Sequence, residues 1–184
     1  MPAWITQHDF SVLYWIQEHL RCGVLDFLMP KITFLGNAGL IWLFTAAVLL
    51  LMPKYRRVGI YLLAGLAAGV LVGNVALKHL VVRPRPCWLD ETVQLLISVP
   101  TDYSFPSGHT LASVVSATVL ARTDRRFGAV AIPLAALIAV SRLYLFVHFP
   151  SDVLTSVVLG IAIGLTAPLG VDFVFRKLKA RRAG

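Results

Sequence analysis

Long apolar stretches separated by short charged clusters dominate this 184-residue chain. Hydrophobic residues make up 58% of the sequence and charged residues only 14%, whereas soluble proteins average about 25% charged residues. A stretch of about 20 apolar residues crosses the ~30 Å hydrocarbon core of a bilayer as one helix. The sequence therefore predicts an all-α, polytopic membrane helical bundle.

About five spanning helices are predicted, preceded by a helix that lies in the membrane interface. The predicted spans are residues 33–52, 58–80, 108–121, 127–147 and 153–175. The third is only about 21 Å long, so we expect its N-terminus to be recessed below the outer surface. No linker, charge block or repeat divides the chain, which predicts a single domain over residues 1–184.

Residues 1–31 form the predicted interfacial segment, because Asp26, Pro30 and Lys31 interrupt the apolar pattern before the first span. The N-terminus lacks the pattern of a signal peptide, so we expect the first span to be an uncleaved anchor.

Small residues recur at four-residue spacing in two of the spans. Gly65, Gly69 and Gly73 lie in the second, and Gly160 and Gly164 lie in the fifth. Such spacing lets a neighbouring helix approach closely, so both spans are predicted to present a close-packing face.

The distribution of basic residues sets the orientation. Eleven of the 17 lysines and arginines lie on one side of the predicted spans: Lys54, Arg56, Arg57, Arg122, Arg125, Arg126, Arg176, Lys177, Lys179, Arg181 and Arg182. By the positive-inside rule this side is cytoplasmic. The chain is thus expected to be a multi-pass protein of the cell membrane, with residues 176–184 as a basic cytoplasmic tail and residues 81–106 as an extracytoplasmic loop.

The net charge of +8 is explained by this topology. A nucleic-acid partner is not expected, because no basic stripe with interleaved aromatic residues is present. The bilayer is the expected partner, and the sequence does not determine the oligomeric state.

Three polar stretches meet on the outer side of the predicted bundle: Lys78 to Pro86, Pro106 to His109, and Ser141 to Asp152. Charge at a membrane edge is costly and marks a candidate functional site. Lysine and arginine residues on the outer side run against the positive-inside rule, and binding of an anionic substrate would explain their presence there.

The residue types in these stretches suit phosphoryl transfer through a histidine. Lys78, Arg85 and Arg142 can hold the charged oxygens of a phosphoryl group. The N-terminus of the third span adds the backbone N–H groups of Gly108 and His109. Ser107, the expected N-cap of this helix, adds its hydroxyl.

His148 is the candidate nucleophile, since a neutral imidazole attacks phosphorus if its other nitrogen is held by an acceptor. Asp152 follows four residues later, across a proline suited to the first turn of a helix, and is expected to reach back to this imidazole. His109, on a different helix, is the candidate acid for the leaving oxygen and the base that then activates water.

The motifs Lys78-x6-Arg85-Pro86, Pro106-Ser107-Gly108-His109 and Ser141-Arg142-x5-His148-x3-Asp152 resemble those of the type-2 phosphatidic acid phosphatase superfamily of membrane lipid phosphatases. The resemblance implies the same roles: a nucleophilic histidine with its carboxylate, an acid histidine, and a phosphate pocket formed by Lys78, Arg85, Ser107, Gly108 and Arg142. It also implies a metal-independent reaction without a cofactor.

We therefore expect dephosphorylation of a lipid phosphate or diphosphate at the outer leaflet through a phosphohistidine. Undecaprenyl pyrophosphate is the first candidate. Phosphatidylglycerophosphate and phosphatidic acid are alternatives, as is transfer of the phosphoryl group to a second lipid. A lipid transporter or binder is the alternative outside enzymes, but paired helix-breaking or ionisable residues at mid-membrane, typical of transporters, are absent from the sequence.

Other polar residues are expected to have ordinary roles. His8, His19 and His79 lack a partner pattern, and Asp90, Glu91 and Asp102 are expected to be solvated loop carboxylates, with contact to a substrate head group left open for one of them. Apolar residues of the outer loop either pack within it or flank a lipid chain: Trp88, Leu95, Leu96, Ile97, Tyr103 and Phe105. Cys22 and Cys87 lie on the same predicted side, and a disulfide between them is left open.

Overall fold

The computed structural model describes residues 3–183 and contains helices but no strand over that range. The α-helices are α1 (Ala3–His19), α2 (Gly23–Leu35), α3 (Leu40–Leu51), α4 (Arg56–Gly69), α5 (Lys78–Val81), α6 (Pro86–Leu89), α7 (Gly108–Thr123), α8 (Arg125–Tyr144) and α9 (Pro150–Ala183). A 3₁₀ turn, Asn37–Gly39, joins α2 to α3, and a π-helical segment, Val70–Leu77, joins α4 to α5. Residues 1, 2 and 184, at the ends of the predicted N-terminal segment and tail, lie outside the described residues.

The predicted multi-span helical bundle is confirmed. Three helical stretches are long and apolar enough to cross a membrane: Arg56–Leu89, Arg125–Tyr144 and Pro150–Arg181. The bent pair formed by Gly23–Leu35 and Asn37–Leu51 gives a fourth span when it is counted as one. Helix α7 has 16 residues and is the short helix that the sequence predicts.

The helices around the predicted first span begin earlier than expected. Helix α2 begins at Gly23 and continues through Pro30, so residues 23–31 of the predicted interfacial segment are part of the bent pair. A proline inside a helix removes one backbone hydrogen bond, which α2 tolerates. The chain bends by 46° at the 3₁₀ turn instead, where Ala38 (φ 49°) and Gly39 (φ 68°) adopt left-handed backbone angles.

Helix α7 lies at the centre of the bundle and packs against α4, α8 and α9. The predicted close-packing faces are confirmed: a Cβ atom added at Gly65, Gly73, Gly160 or Gly164 would lie 2.5–2.8 Å from side chains of α7. A Cβ added at Gly69 would make only ordinary van der Waals contacts, at 3.8 Å. Two glycine faces, from α4 with the π-helical segment and from α9, therefore pack closely against α7.

The last two spans differ from prediction at their ends. Helix α8 ends at Tyr144, three residues earlier than expected, and α9 begins at Pro150. The non-helical residues 145–149 between them are almost completely buried. Helix α9 continues to Ala183, so the described part of the basic tail is helical rather than a separate segment.

Helix α1 packs on the same end of the bundle as this connection. Leu13 and Ile16 are buried in a cluster with residues 144–147 and Phe149. The N-terminal helix thus covers the segment that carries His148.

Candidate active site

One cavity of about 1020 Å³ brings together residues from all three polar stretches. Its polar wall includes Lys78, Arg85, Asp102, Gly108, His109, Arg142 and His148. Ser107 and Asp152 do not line the cavity and lie directly behind it, fully buried. The three motifs, distant in sequence, therefore converge on one site.

Two left-handed residues shape the backbone here. Val82 (φ 49°) ends α5, after which the chain turns toward Arg85, and Phe146 (φ 58°) precedes His148 by two residues. A β-branched or bulky residue at positive φ is strained, and such strain is concentrated at functional sites. The surrounding packing thus fixes the backbone on both sides of the cavity.

His148 is 1% exposed and its two ring nitrogens face different partners. Nε2 lies 3.1 Å from Arg85 Nη1. Because a guanidinium only donates, Nε2 carries a lone pair and the ring proton belongs on Nδ1. Burial, followed by the positive charges of Arg85 and Arg142, holds the pKa of His148 well below its usual value. The imidazole is therefore neutral near pH 7, with the lone pair of Nε2 directed at Arg85.

Asp152 lies close to this imidazole but does not make the direct hydrogen bond that the sequence suggested. Its Oδ2 is 3.7 Å from His148 Nδ1, beyond hydrogen-bonding range. Ser104 Oγ donates to Asp152 Oδ2 at 2.5 Å and lies 3.5 Å from Nδ1. The carboxylate also accepts from the backbone N–H of Phe149 at 3.0 Å and from Arg83 Nη1 at 2.5 Å.

The three predicted phosphate-binding cations are buried at 2–6% exposure. Arg85 donates to the carbonyl of Val147 at 2.6 Å, which ties it to the segment that carries His148. Arg142 Nη1 donates to Thr33 Oγ1 at 2.5 Å, while its buried Nε has no hydrogen-bond partner among the described residues. Three buried cations around one cavity favour an anionic ligand.

Asp102 is not a freely solvated loop carboxylate, contrary to the main expectation. It forms ion pairs with Lys78 and, at 2.7 Å, with Arg85. Partial burial alone would raise the pKa of Asp102, but the hydrogen bond and charge of Lys78, together with Arg85, lower this pKa to about 2. One half-exposed carboxylate is therefore shared between two of the cations.

The N-terminus of α7 faces the same cavity. Ser107 caps this helix as predicted, accepting from the backbone N–H of Thr110 at 3.5 Å. A Cβ added at Gly108 would lie 3.1 Å from Asn74 Oδ1. The π-helical segment therefore approaches the start of α7 closely. His109 Nε2 lies 2.8 Å from Asn37 Oδ1, in the 3₁₀ turn that breaks the first span.

Sequence reasoning missed five residues of this site: Thr33, Asn37, Arg83, Asp102 and Ser104. Arg83 and Ser104 could have been found because they stand within a few residues of the motifs. Asn37 lies in a Gly-Asn-Ala-Gly cluster inside an apolar run, which is a signal for a break.

The opposite wall of the cavity is apolar. It is formed by side chains of α2, α3 and α4 and the start of the π-helical segment: Pro30, Phe34, Leu43, Leu63, Leu66 and Val70. Phe34 and Val70 are exposed on the outside of the protein, at 63% and 51%. The cavity therefore joins a cationic end to a hydrocarbon surface.

Most of the outer loop packs on the protein. Trp88, Leu95, Leu96 and Ile97 lie against the cluster that includes residues 144–147. Cys22 is exposed and Cys87 is buried, and both are free, so they do not form a disulfide.

Comparison with known proteins gives consistent matches. The PAP2 superfamily profile matches residues 58–176. Undecaprenyl-diphosphatase of Sulfolobus acidocaldarius is 33% identical over 149 residues, covering 80% of this chain and 71% of the relative. Undecaprenyl-diphosphatase BcrC of Bacillus subtilis is 30% identical over 156 residues, covering 84% and 78%.

Two solved structures share the fold. LpxE of Aquifex aeolicus has a TM-score of 0.76 and 29% identity, covering 86% of this chain and 93% of that one. The transmembrane PAP2-type phosphatidylglycerolphosphate phosphatase from Bacillus subtilis has a TM-score of 0.75 and 25% identity, covering 93% and 87%.

Proposed function

Because this chain belongs to the PAP2 superfamily and is a lipid phosphatase, a phosphoric ester hydrolase, we propose that it hydrolyses a polyprenyl diphosphate. Undecaprenyl diphosphate is the first candidate substrate. The reaction runs through a phosphohistidine at His148 and needs neither metal nor cofactor. Its active site opens on the extracytoplasmic side of the cell membrane, and the C-terminus is cytoplasmic.

The observation that carries this proposal is the two-sided cavity. One wall offers three buried cations, Lys78, Arg85 and Arg142, and the other offers apolar side chains, of which Phe34 and Val70 are more than half exposed. A molecule with a charged phosphate head and a long hydrocarbon tail satisfies both walls. Two relatives named undecaprenyl-diphosphatase support a polyprenyl tail and a diphosphate head.

Substrate binding begins with the exchange of one anion for another. The terminal phosphate takes the place of the Asp102 carboxylate on Lys78 and Arg85 and accepts from Arg142. The backbone N–H groups at the start of α7 provide further donors. These fixed donors hold the charge that spreads over the three equatorial oxygens during transfer.

His148 Nε2 then attacks the terminal phosphorus, and the bond from that phosphorus to the bridging oxygen breaks. Nδ1–H faces Asp152 and Ser104, which stabilise the cation as the N–P bond forms. The bound anion favours the protonated form of His109, which donates its proton to the departing lipid phosphate.

In the second half of the reaction, His109 takes a proton from water and the resulting hydroxide attacks the phosphohistidine. The N–P bond breaks, releasing inorganic phosphate and restoring neutral His148. The same residue thus acts as acid and then as base, as microscopic reversibility requires.

Phosphatidylglycerophosphate is the second candidate substrate. A structure that covers 93% of this chain is that of a phosphatidylglycerolphosphate phosphatase, and the apolar wall accommodates acyl chains as well as a polyprenyl tail. The two candidates differ in the leaving group, which is a lipid phosphate in one and a lipid alcohol in the other.

The test is phosphate release by purified protein in detergent with EDTA. The panel is undecaprenyl diphosphate, phosphatidylglycerophosphate and phosphatidic acid, compared for wild type, His148→Ala and the matched control His79→Ala, an exposed histidine whose Nδ1 lies 2.9 Å from the carbonyl of Val75. We expect fastest release from undecaprenyl diphosphate, loss in His148→Ala and retention in His79→Ala. Folded wild-type protein that releases phosphate from none of these lipids would contradict the proposal and favour a phosphotransferase or a lipid binder.

A further inference from the structure

A buried ion network lies behind His148, on residues that do not line the cavity. Arg83 is 4% exposed and its guanidinium contacts two carboxylates: Nη1 donates to Asp152 Oδ1 at 2.5 Å and Nη2 donates to Asp9 Oδ2 at 2.7 Å. The same guanidinium lies 3.9 Å over the ring of Phe149. Its place is therefore fixed from three directions.

Asp9 comes from α1, outside the 58–176 region matched by the superfamily profile. It is 5% exposed, and its Oδ1 accepts from the backbone N–H of Ser151 at 3.0 Å. Ser151 Oγ donates to Asp9 Oδ2 at 2.5 Å and accepts from Arg83 at 2.7 Å. Asp9 thus holds the first turn of α9, which carries Asp152, as well as the cation bound to Asp152.

The charges of this network matter for the step in which His148 becomes cationic. Arg85, Arg142, Lys78 and His109 face the imidazole from the cavity side, and each opposes a positive ring. Asp152 is the carboxylate on the other side, but Arg83 neutralises it. Asp9 adds a second negative charge, so the group of Asp9, Arg83 and Asp152 carries a net charge of about −1 beside the ring.

We propose that Asp9 and Arg83 are positioning residues for the phosphoryl transfer: through Asp152 they orient the nucleophilic imidazole and keep a net negative charge behind it. This inference rests on the proposed function of His148. It assigns α1 a role in the chemistry that packing alone would not give it. Neither residue touches the substrate, so both act on the rate of transfer and not on binding.

A purely structural role for the network makes a different prediction. If Asp9 only anchored α1, its loss would lower the amount of folded protein or its thermal stability, and each folded molecule would keep its turnover number. The two roles are separated by measuring kcat and KM per folded molecule.

The experiment compares Asp9→Asn with Glu18→Gln, using undecaprenyl diphosphate and phosphatidylglycerophosphate as substrates. Glu18 is an exposed carboxylate on the same helix, so it controls for the loss of one charge from α1. Rates are normalised to the monodisperse fraction after size-exclusion chromatography. We expect kcat for Asp9→Asn to fall on the order of tenfold, as for other outer partners of catalytic histidines, with KM within about twofold of wild type. Asp9→Glu, which keeps the charge, is expected to recover part of the loss.

If Asp9→Asn yields no monodisperse protein, kcat and KM are measured for Ser151→Ala instead. It removes the hydroxyl that joins Asp9 to Arg83 and leaves every charge in place, so a decrease in kcat of about threefold is expected. A wild-type kcat in the variant, a change confined to KM, or an equal decrease in Glu18→Gln would overturn the proposal. Failure of wild type to hydrolyse either lipid would instead overturn the proposed function, so the two failures are distinguishable.

Discussion

At the scale of single residues, the reactivity of His148 comes from its surroundings. Burial and three neighbouring cations keep the ring neutral, and Arg85 orients the lone pair of Nε2 by donating to it at 3.1 Å. In the proposed mechanism, the same cations attract the phosphate that the ring attacks. One arrangement would then both prepare the nucleophile and bind its target.

This environment predicts a specific pH profile. A histidine whose pKa is depressed loses its proton at lower pH than a free imidazole, so the neutral form persists below about 6.5. The acidic limb of kcat/KM, which reports the free enzyme, is expected below this value. Measured between pH 4 and pH 9 in detergent, an acidic limb above about 7 would contradict the account.

Asp102 leads to a second prediction, because its carboxylate pairs with Lys78 and Arg85, two of the cations proposed to bind phosphate. Asp102→Asn removes this competing charge, and inhibition by inorganic phosphate should tighten. Asp102 is 55% exposed, so the gain is modest, roughly three- to tenfold in the inhibition constant. Asp90→Asn, in the same loop but hydrogen-bonded to Tyr14 and Thr92, is the matched control and should not change it. Unchanged or weaker inhibition in Asp102→Asn would contradict this assignment.

The sequence predicted the residues of the cavity better than the contacts between them. Spacing within a motif places His148 and Asp152 four residues apart, and their proximity follows from one turn at the start of α9. It does not reveal that Ser104, 44 residues before His148 in the chain, lies beside both side chains. Nor does it show that Asp102 pairs with Lys78, since such contacts depend on the path of an irregular loop.

At the scale of helices, α7 is the element on which the site is built. Its N-terminus faces the cavity, and the glycine faces of α4 with the π-helical segment and of α9 pack closely against it. The recurring glycines were visible in the sequence because small residues at four-residue spacing form one face of a helix. Their shared partner was not, because spacing does not specify which helix approaches.

Gly164→Ala tests this packing. The added Cβ would lie 2.6 Å from Thr118 Cβ and 2.9 Å from the backbone carbonyl of Val115, so α9 must move away from α7. Overpacking of this kind costs about 1–3 kcal/mol, which lowers the melting temperature by roughly 2–10 °C for a chain of this size. A Cβ added at Gly170 on the same helix would have no atom of the described residues within 4 Å of it. Gly170→Ala should therefore be neutral or slightly stabilising. Equal melting temperatures for both variants in detergent would contradict the packing argument.

The bent first span shows where helix prediction from apolar pattern fails. Proline suggested a boundary near Pro30, but the helix continues through it, and the break falls at the Gly36–Gly39 cluster. The residues on both sides of this break are predominantly apolar, so an apolar pattern alone does not mark it. The bend places Asn37 beside His109, and the apolar pattern carries no information about that contact.

At the scale of the whole molecule, the account requires the cavity to open on the extracytoplasmic side. Cys22 is exposed at the same end of the protein as the site, where its backbone N–H lies 3.3 Å from Tyr144 Oη. In intact cells a membrane-impermeant maleimide should therefore label Cys22, and Cys22→Ser should abolish labelling because Cys87 is buried. Lys54→Cys in the Cys22→Ser background is the matched control and should react only after permeabilisation. The reverse pattern would contradict the orientation.

The central claim is that a phosphoryl group passes through His148, and trapping the covalent intermediate tests it most directly. Undecaprenyl diphosphate labelled in its terminal phosphate is mixed with enzyme and quenched within milliseconds. We predict an acid-labile, alkali-stable label on the protein that maps to His148 and is absent from His148→Ala. The label should accumulate in His109→Ala, because loss of the base slows hydrolysis more than loss of the acid slows departure of a lipid phosphate. Rapid turnover with no label on the wild type or on His109→Ala, or a label on any other residue, would contradict the account.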